Sequence, residues 1–206
     1  MRKIGQIVFV VVILVLSGVG TRCLCAQVGF AVGLNYEGIS DLEIGNAKGT
    51  FDNASGYHIG LFYDLGIGPA GIRTGLFYRS MGKFEASLPG VVKDFDLSLF
   101  EIPVDLRFNL SATPVLTPYV IVGPVFSFPF SSDKDFKDAF EKVSVSGNVG
   151  VGVAVNLLGL RIFPEFRYTI GISRFMKKDL SIGSVNFEAA EPQRLNTVML
   201  RIGVGL

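Results

Sequence analysis

The 206-residue chain has few of the residue types on which most enzymes and binding proteins depend. It has no tryptophan, one histidine and two cysteines, and charged residues make up only 18% of it. The 19 Lys and Arg residues nearly balance the 18 Asp and Glu residues, so the chain lacks the basic surplus that attracts nucleic acid. We therefore expect no nucleic-acid partner. An apolar fraction of 49% also excludes intrinsic disorder.

No apolar run is long enough to cross a bilayer as a helix. The longest, at 7–16, has ten residues, whereas a membrane helix needs about 20. It follows Arg2 and Lys3 and precedes several small residues, an order typical of a secretory signal peptide. We predict a signal peptide at 1–26 and one mature domain at 27–206. Lipid attachment at a cysteine near this site is the alternative, but the residues before both cysteines lack a lipoprotein pattern.

Cleavage after Ala26 changes the charge and the cysteine content of the chain. It removes three basic residues and no acidic one, which leaves 16 basic against 18 acidic residues and a formal charge of −2. It also removes both cysteines. A secreted domain without disulfides is held together by packing or by a closed network of hydrogen bonds.

The mature chain alternates between apolar and small or polar residues with a period of two. Eight segments show this pattern, and each is about as long as a tilted membrane-spanning strand. They lie near 28–37, 57–65, 71–79, 100–109, 119–128, 144–156, 160–172 and 197–206. None carries a charged residue on its apolar face, and the aromatic residues of that face lie mostly near strand ends, as expected at membrane interfaces.

The connections between these segments alternate in length. Tight turns are expected at 66–69, 110–114 and 158–159. Long polar loops are expected near 38–55, 84–94, 130–142 and 174–194. Short turns at one rim and long loops at the other are typical of a transmembrane barrel with periplasmic termini, and a soluble barrel would have its apolar face inside. We predict an all-β fold: an eight-stranded antiparallel up-and-down transmembrane β-barrel. A two-sheet sandwich with an apolar core is the alternative.

Several short motifs occur in a characteristic order along the mature chain. They are the glycine-rich first strand with Gly29 and Gly33, then 78–82, 101–104, 118–124 and 165–171. This order resembles the PorT-like outer-membrane β-barrel family, common in the Bacteroidetes group of bacteria. The resemblance implies an outer-membrane barrel and, for some members, a part in protein secretion. Leu206 differs from the Phe that usually ends small bacterial barrels, which bears on the strength of its assembly signal.

The lumen face of the predicted barrel carries many charges. We predict a cluster formed by Arg73, Arg79, Glu101, Asp105, Arg107, Glu165, Arg167 and Arg201, joined by Glu37, Asp64 and Arg161. An eight-stranded barrel is just wide enough for side chains to fill it, and unpaired charges in so narrow a space are costly. Strand order places Arg79 near Glu101, Arg73 near Asp105, and Glu165 near Arg201. We expect a salt-bridge plug; a selective anion path along the arginines is the alternative.

The expected function is non-catalytic. No cofactor or metal is predicted: the G-x-G-x-x-G at 66–71 leads into a strand, and the acidic stretch 133–138 lacks the residues of a calcium loop. His58 near the long-loop rim, with Ser55 and Asp52, is the only hint of an enzyme, and no nucleophile motif surrounds it. We expect an envelope structural or secretion-associated role with the loops as the binding surface, and a small pore or solute channel as the alternative.

The expected partners are those of an outer-membrane protein. They are outer-membrane lipid and lipopolysaccharide, the barrel assembly machinery, and secretion components or an external ligand bound by the loops. The loops contain more aromatic residues than solvation requires, which suggests either such contacts or folding back over the barrel. These residues are Phe51, Phe84, Phe136, Phe140, Phe175 and Phe187.

Overall fold

The structure is a computed structural model that describes residues 24–39, 42–44, 47–51, 54–88, 91–110, 113, 115–131, 140–157, 159–177, 179–182, 185–188 and 193–206. The predicted signal peptide lies almost wholly outside these residues, and its cleavage site stays a prediction. Within them, no helix is long and apolar enough to span a bilayer.

Eight long strands form the wall of the molecule. They are β1 (Leu24–Ile39), β4 (Ala54–Ile67), β5 (Ala70–Leu88), β6 (Val91–Asn109), β7 (Leu116–Phe130), β8 (Ser144–Leu157), β9 (Leu160–Gly171) and β12 (Leu195–Gly205). Neighbours in this order pair in antiparallel fashion, and β1 also pairs with β12. The sheet therefore closes on itself, which leaves no open edge in the wall. The predicted eight-stranded antiparallel barrel is confirmed.

Alternation along the strands sorts the side chains between two environments. On β1, Leu34 is 67% exposed on the outer surface, whereas its neighbour Asn35 is 3% exposed inside. The same alternation holds on β6, where Ile102 and Val104 point outward while Glu101 and Asp105 are buried. The apolar face is therefore the outer one, as the sequence predicts, and the polar face lines the interior.

The long connections contain more strand than the sequence predicts. The expected loop at 84–94 is wrong: β5 and β6 continue as a hairpin whose register runs to Leu88↔Val91. A ladder depends on backbone hydrogen bonds and continues where the alternation of side chains weakens. The register shifts between Ser80 and Lys83, and Gly82 there has a φ of 76°, a bulge that favours glycine.

Two further hairpins lie in the other long connections. The first is β2 (Leu42–Ile44) with β3 (Ala47–Phe51), and β3 also pairs with β5 through Thr50↔Ser87. The second is β10 (Asp179–Ile182) with β11 (Val185–Glu188), which form a separate two-stranded sheet. At the opposite rim, Gly68 has a φ of 63° in the tight turn between β4 and β5. The glycine-rich 66–71 stretch is thus a hairpin turn, as expected.

The first strand begins earlier than the alternation predicts. Val28 is the first residue of the predicted strand, whereas β1 begins at Leu24 and pairs Cys25 with Gly66. Cleavage after Ala26 would remove the first three residues of this strand. The pairing from Gly29 onward, which joins β1 to both of its neighbours, would remain.

Because the barrel wall is closed, we expect the folded protein to resist unfolding by detergent. Residues 27–206, refolded in detergent, should migrate faster on a gel when unboiled than when boiled. Leu34→Pro should abolish this shift, because β1 pairs on both sides at residue 34 and proline lacks the backbone N–H.

Leu34→Val is the matched control and should keep the shift, since it retains the donor and the apolar face. A wild-type chain that shows no shift and remains soluble without detergent would contradict a lipid-facing barrel.

Candidate functional site: the charged barrel interior

Aromatic side chains fill the end of the lumen near the chain termini. Phe62 and Phe163 meet edge to face with ring centroids 5.7 Å apart, and Tyr119 lies 6.3 Å from Phe163. All three are buried and belong to one apolar cluster with Ala31, Phe77, Ile121 and Ala154. Inward-facing positions on β1, β4, β5, β7, β8 and β9 place these side chains there. The Arg73 guanidinium lies over the rings of Phe62, Tyr119 and Phe163, so this cluster packs against the charged side chains.

Charged side chains occupy the middle of the lumen. The sequence-predicted cluster residues all lie inside the barrel and are buried: Arg73, Arg79, Glu101, Asp105, Arg107, Glu165, Arg167 and Arg201. Glu37 and Asp64 lie there too. Arg161 does not: it is partly exposed near the turn between β8 and β9, and its Nε donates to Asn156 Oδ1 at 2.9 Å.

Asp64 and Glu165 each hold two arginines. Asp64 Oδ2 accepts from Arg73 Nη2 at 2.6 Å and also from Arg107 Nη1. Glu165 accepts from Arg73 Nη1 through Oε1 and from Arg167 Nε through Oε2, the latter at 2.7 Å. Tyr119 donates its hydroxyl to Glu165 Oε1 at 2.6 Å. Arg73 therefore bridges two carboxylates that come from opposite parts of the wall.

The predicted proximity of Arg73 to Asp105 is confirmed, because the two residues are direct cross-strand neighbours, but the Arg73 guanidinium bonds to Asp64 and Glu165 instead. The Arg73 guanidinium lies 4.8 Å from the Phe62 ring centroid and 4.5 Å from that of Phe163, between the two aromatic rings. Stacking on these rings directs it toward Asp64 and Glu165. Asp105 instead accepts from Arg167 Nη1 at 2.8 Å and from Asn148 Nδ2 at 2.8 Å.

The ion pair nearer the long loops is the one expected from strand order. Arg79 Nη2 lies 3.0 Å from Glu101 Oε1, and Arg79 Nε lies 3.7 Å from Glu37 Oε1. Thr197 links the two sides: its hydroxyl donates to Glu37 Oε2 at 2.6 Å and accepts from Arg79 Nη1 at 3.0 Å. This group joins β1, β5, β6 and β12.

The predicted proximity of Arg201 to Glu165 is confirmed, but the Arg201 guanidinium bonds to a different partner. Arg201 lies directly across from Glu165 in the register, but its Nε donates to His58 Nε2 at 3.1 Å, and its guanidinium lies 4.1 Å from the Phe77 ring centroid. Because His58 Nε2 accepts, the proton resides on Nδ1, which faces Asn35 Oδ1 at 3.4 Å. Both ring nitrogens of the buried histidine are thus engaged. Ser55 is exposed, and Asp52 lies outside the described residues.

Opposite charges balance within this interior. Among the described residues, five arginines and five carboxylates are buried. Two cavities border the network, and each holds about 10 Å³. A buried water needs roughly 10–15 Å³, so each cavity has room for about one water molecule. The charges are neutralised by one another, and side chains fill the space between them.

A third layer, of apolar side chains, covers the network on the long-loop side. Phe140 and Phe175 are buried with ring centroids 5.5 Å apart, and they accompany Met81, Leu97, Leu99, Met176 and Leu195. Backbone bonds hold the two connections together: Glu141 N–H donates to Phe175 O at 3.1 Å, and Phe175 N–H donates to Gln193 O at 3.0 Å.

Phe140 and Phe175 therefore fold back over the barrel and are not free for partner contacts. The side chains of Phe51, Phe84 and Phe187, and residue Phe136, lie outside the described part of the chain. Tyr119, Asn35 and Asn148 complete the network, although they were not among the residues predicted to form it. All three lie at inward-facing positions in the alternating pattern of their strands, and this is the sequence signal that could have identified them.

Neutralising Glu165 tests the network at its most connected carboxylate. Glu165→Gln keeps the shape but removes the charge that compensates Arg73 and Arg167, so unfolding in lipid vesicles should be easier by about 3–5 kcal/mol. Urea titration of the refolded protein measures this change.

Glu141→Gln, outside the lumen network, is the matched control and should change stability by less than about 0.5 kcal/mol. The double variant Arg73→Gln with Glu165→Gln should lose less than the sum of the two single changes, because the charges are coupled. Strict additivity would show that the pair does not interact.

Comparisons with known proteins agree with this architecture. Residues 11–205 match the family described as outer membrane protein beta-barrel domain. Neisserial surface protein A has a similar structure, with a TM-score of 0.50 and 14% identity over 86% of this chain and 96% of that one. Outer membrane protein OprG from Pseudomonas aeruginosa has a TM-score of 0.48 and 13% identity over 88% of this chain and 94% of that one. At such identities the likeness concerns the fold alone. No curated protein matches the sequence significantly.

Proposed function

Because the chain belongs to the outer membrane protein β-barrel domain family, we propose that it is a non-catalytic envelope protein with a sealed lumen, which acts through its hairpins and long connections. Integral location in the bacterial outer membrane follows from the family and the outward apolar face. The single observation that carries the sealed lumen is the balanced network of five arginines and five carboxylates, which packs against an aromatic cluster and is covered by an apolar layer on the long-loop side.

The rival function is a small pore or solute channel. An anion path along the arginines would need guanidinium groups that face open space. In this lumen each arginine of the network contacts a carboxylate, the histidine ring or an aromatic face. Opening a path would break several such pairs at once, and removing one partner of a buried pair costs about 3–5 kcal/mol. These contacts favour a plug over a conducting lumen.

Catalysis finds little support in the interior. His58 is the one histidine of the chain, and it contacts Asn35 and Arg201. A general base needs a free ring nitrogen within reach of a nucleophile. Ser55 lies on the exposed side of its strand, whereas His58 is buried. This arrangement supports a structural part for His58 within the plug.

The surface left for partners is the rim with the long connections, which we place outside the cell with the termini in the periplasm. There the β5–β6 hairpin extends through Leu88↔Val91, and β3 adds to its side. The β10–β11 hairpin pairs only with itself among the described residues. Secretion-associated partners, as the resemblance to PorT-like barrels implies, or an external ligand would bind here. Lipopolysaccharide would surround the barrel at the same level.

Planar-bilayer recording tests the sealed lumen. Wild-type protein that shows the gel shift should give no stable, large channel, because the ion network fills the lumen. Arg79→Met and Arg167→Met, if they fold, should behave alike. A steady wild-type conductance whose ion selectivity changes in these two variants would overturn the plug and favour the pore.

Replacing the β10–β11 hairpin tests the role of the rim. A Gly-Ser linker of equal length in place of 179–188 removes no hydrogen bond from the wall, because β10 and β11 pair with each other. The variant should keep the gel shift and outer-membrane recovery. If the rim serves secretion, proteins in the culture medium should fall to the level of a deletion strain.

Arg161→Gln, at the opposite rim, is the control and should secrete normally. Normal secretion by the linker variant and by the deletion strain would reject the secretion-associated role. It would leave the envelope location in place.

A further inference from the structure

The outer surface of the barrel is concave on one side. A groove of about 940 Å³ crosses the outward faces of β7, β8, β9, β12 and β1. Two adjacent rows of outward side chains line it, one running from Val120 through Val151 to Leu34 and the other from Pro118 through Val153 to Val32. A closed barrel is convex in general, so this side requires a local cause.

Two features of the wall coincide with the groove. On the inside, β8 presents glycine at 152, where an added Cβ would lie 2.6 Å from the Tyr119 ring. The ring therefore rests directly on the backbone, and the wall lies close to the lumen filling. Within the wall, the β8–β9 pairing is interrupted between Gly152↔Glu165 and Val155↔Ile162. Pro164, which has no N–H to donate, lies in this interval and weakens the ladder at the centre of the groove.

The dimensions of the groove suit an extended hydrocarbon chain. It crosses four inter-strand intervals of about 4.8 Å, which gives a length of about 19 Å. Strands of such barrels tilt by about 35–45°, so a row perpendicular to them descends about 11–13 Å through the membrane. One leaflet contributes roughly half of the 30 Å hydrocarbon thickness, or about 15 Å. The groove thus extends through most of one leaflet.

Position and chemistry decide the occupant. The outward residues of the groove are apolar, and the groove is continuous with the lipid-facing surface. One end lies at Leu110 and Pro118, beside the rim of the short turns and the chain termini. We propose that this groove is a binding site for one acyl chain of a phospholipid from the leaflet on that side. The proposal rests on the membrane location in the proposed function. The bound acyl chain fills the groove, whereas mobile bilayer lipid would leave part of it unfilled.

The absence of tryptophan from the chain makes the site directly measurable. Leu200→Trp places a single fluorophore in the groove, and Leu76→Trp places one on β5, outside it. The two leucines are matched, with exposures of 59% and 57%, and they lie five and six residues from the end of their strands at the terminal rim. Each variant is reconstituted in vesicles of phosphatidylcholine with brominated acyl chains, which quench nearby tryptophan.

The vesicles are then diluted tenfold with unbrominated phosphatidylcholine in mild detergent. Leu76→Trp should regain its fluorescence at once, because loosely held lipid exchanges rapidly. Leu200→Trp should keep at least twice as much quenching, because its lipid is retained. Equal recovery in the two variants would overturn the groove as a site while the membrane location stands. If neither tryptophan is quenched at the start, the chain is not in the bilayer and the proposed function fails as well.

A tryptophan at position 200 would itself occupy part of the groove, so a second measurement uses the protein without it. Native mass spectrometry of wild-type protein extracted from phosphatidylcholine vesicles should show one retained lipid. Val151→Phe with Val153→Phe, which narrows the groove, should lose it; Ile59→Phe with Leu61→Phe, on β4, should keep it. A wild-type protein that retains no lipid, or that crosslinks to a second copy through position 151, would contradict the proposal.

Discussion

Mutual compensation of buried charge is the constraint on which this barrel depends. A lumen of eight strands is too narrow to hydrate an ion, so five arginines require five carboxylates within hydrogen-bonding distance or in the same network. Arg73 joins Asp64 to Glu165, and Arg167 joins Glu165 to Asp105. These bonds connect strands that are far apart along the chain and in the wall. The interior therefore cross-links the wall of the barrel across the lumen.

Closure of the wall and filling of the lumen support each other. The wall satisfies its backbone groups only because β1 pairs with both β4 and β12. That closure fixes which inward positions meet in the centre. The aromatic cluster around Arg73 and the apolar layer with Phe140 and Phe175 then exclude water from the ion pairs. Exclusion of water strengthens each pair and makes separate rearrangement of any one costly.

The filling of the lumen and the outer surface meet in one part of the wall. The outer groove crosses the wall where Gly152 lets the Tyr119 ring rest on the backbone and where Pro164 lies in the interrupted β8–β9 pairing. The rim with the long connections shows the opposite tendency, because the β5–β6 pairing continues beyond the apolar band to Leu88↔Val91. A single closed ladder thus carries a charged centre filled by side chains, an apolar groove on one side and a projecting rim.

The period of two in the sequence determined the strands, their number, the inner and outer faces and the charge content of the lumen, because strand geometry ties side-chain direction to residue parity. Adjacent-strand reasoning also found the Arg79–Glu101 pair. Only the tertiary structure decided the partners of Arg73, Asp105 and Arg201, since a long guanidinium crosses the lumen and stacks on rings such as Phe62 and Phe77. It likewise decided the β5–β6 hairpin and the return of Phe140 and Phe175, which depend on contacts between residues remote in the sequence.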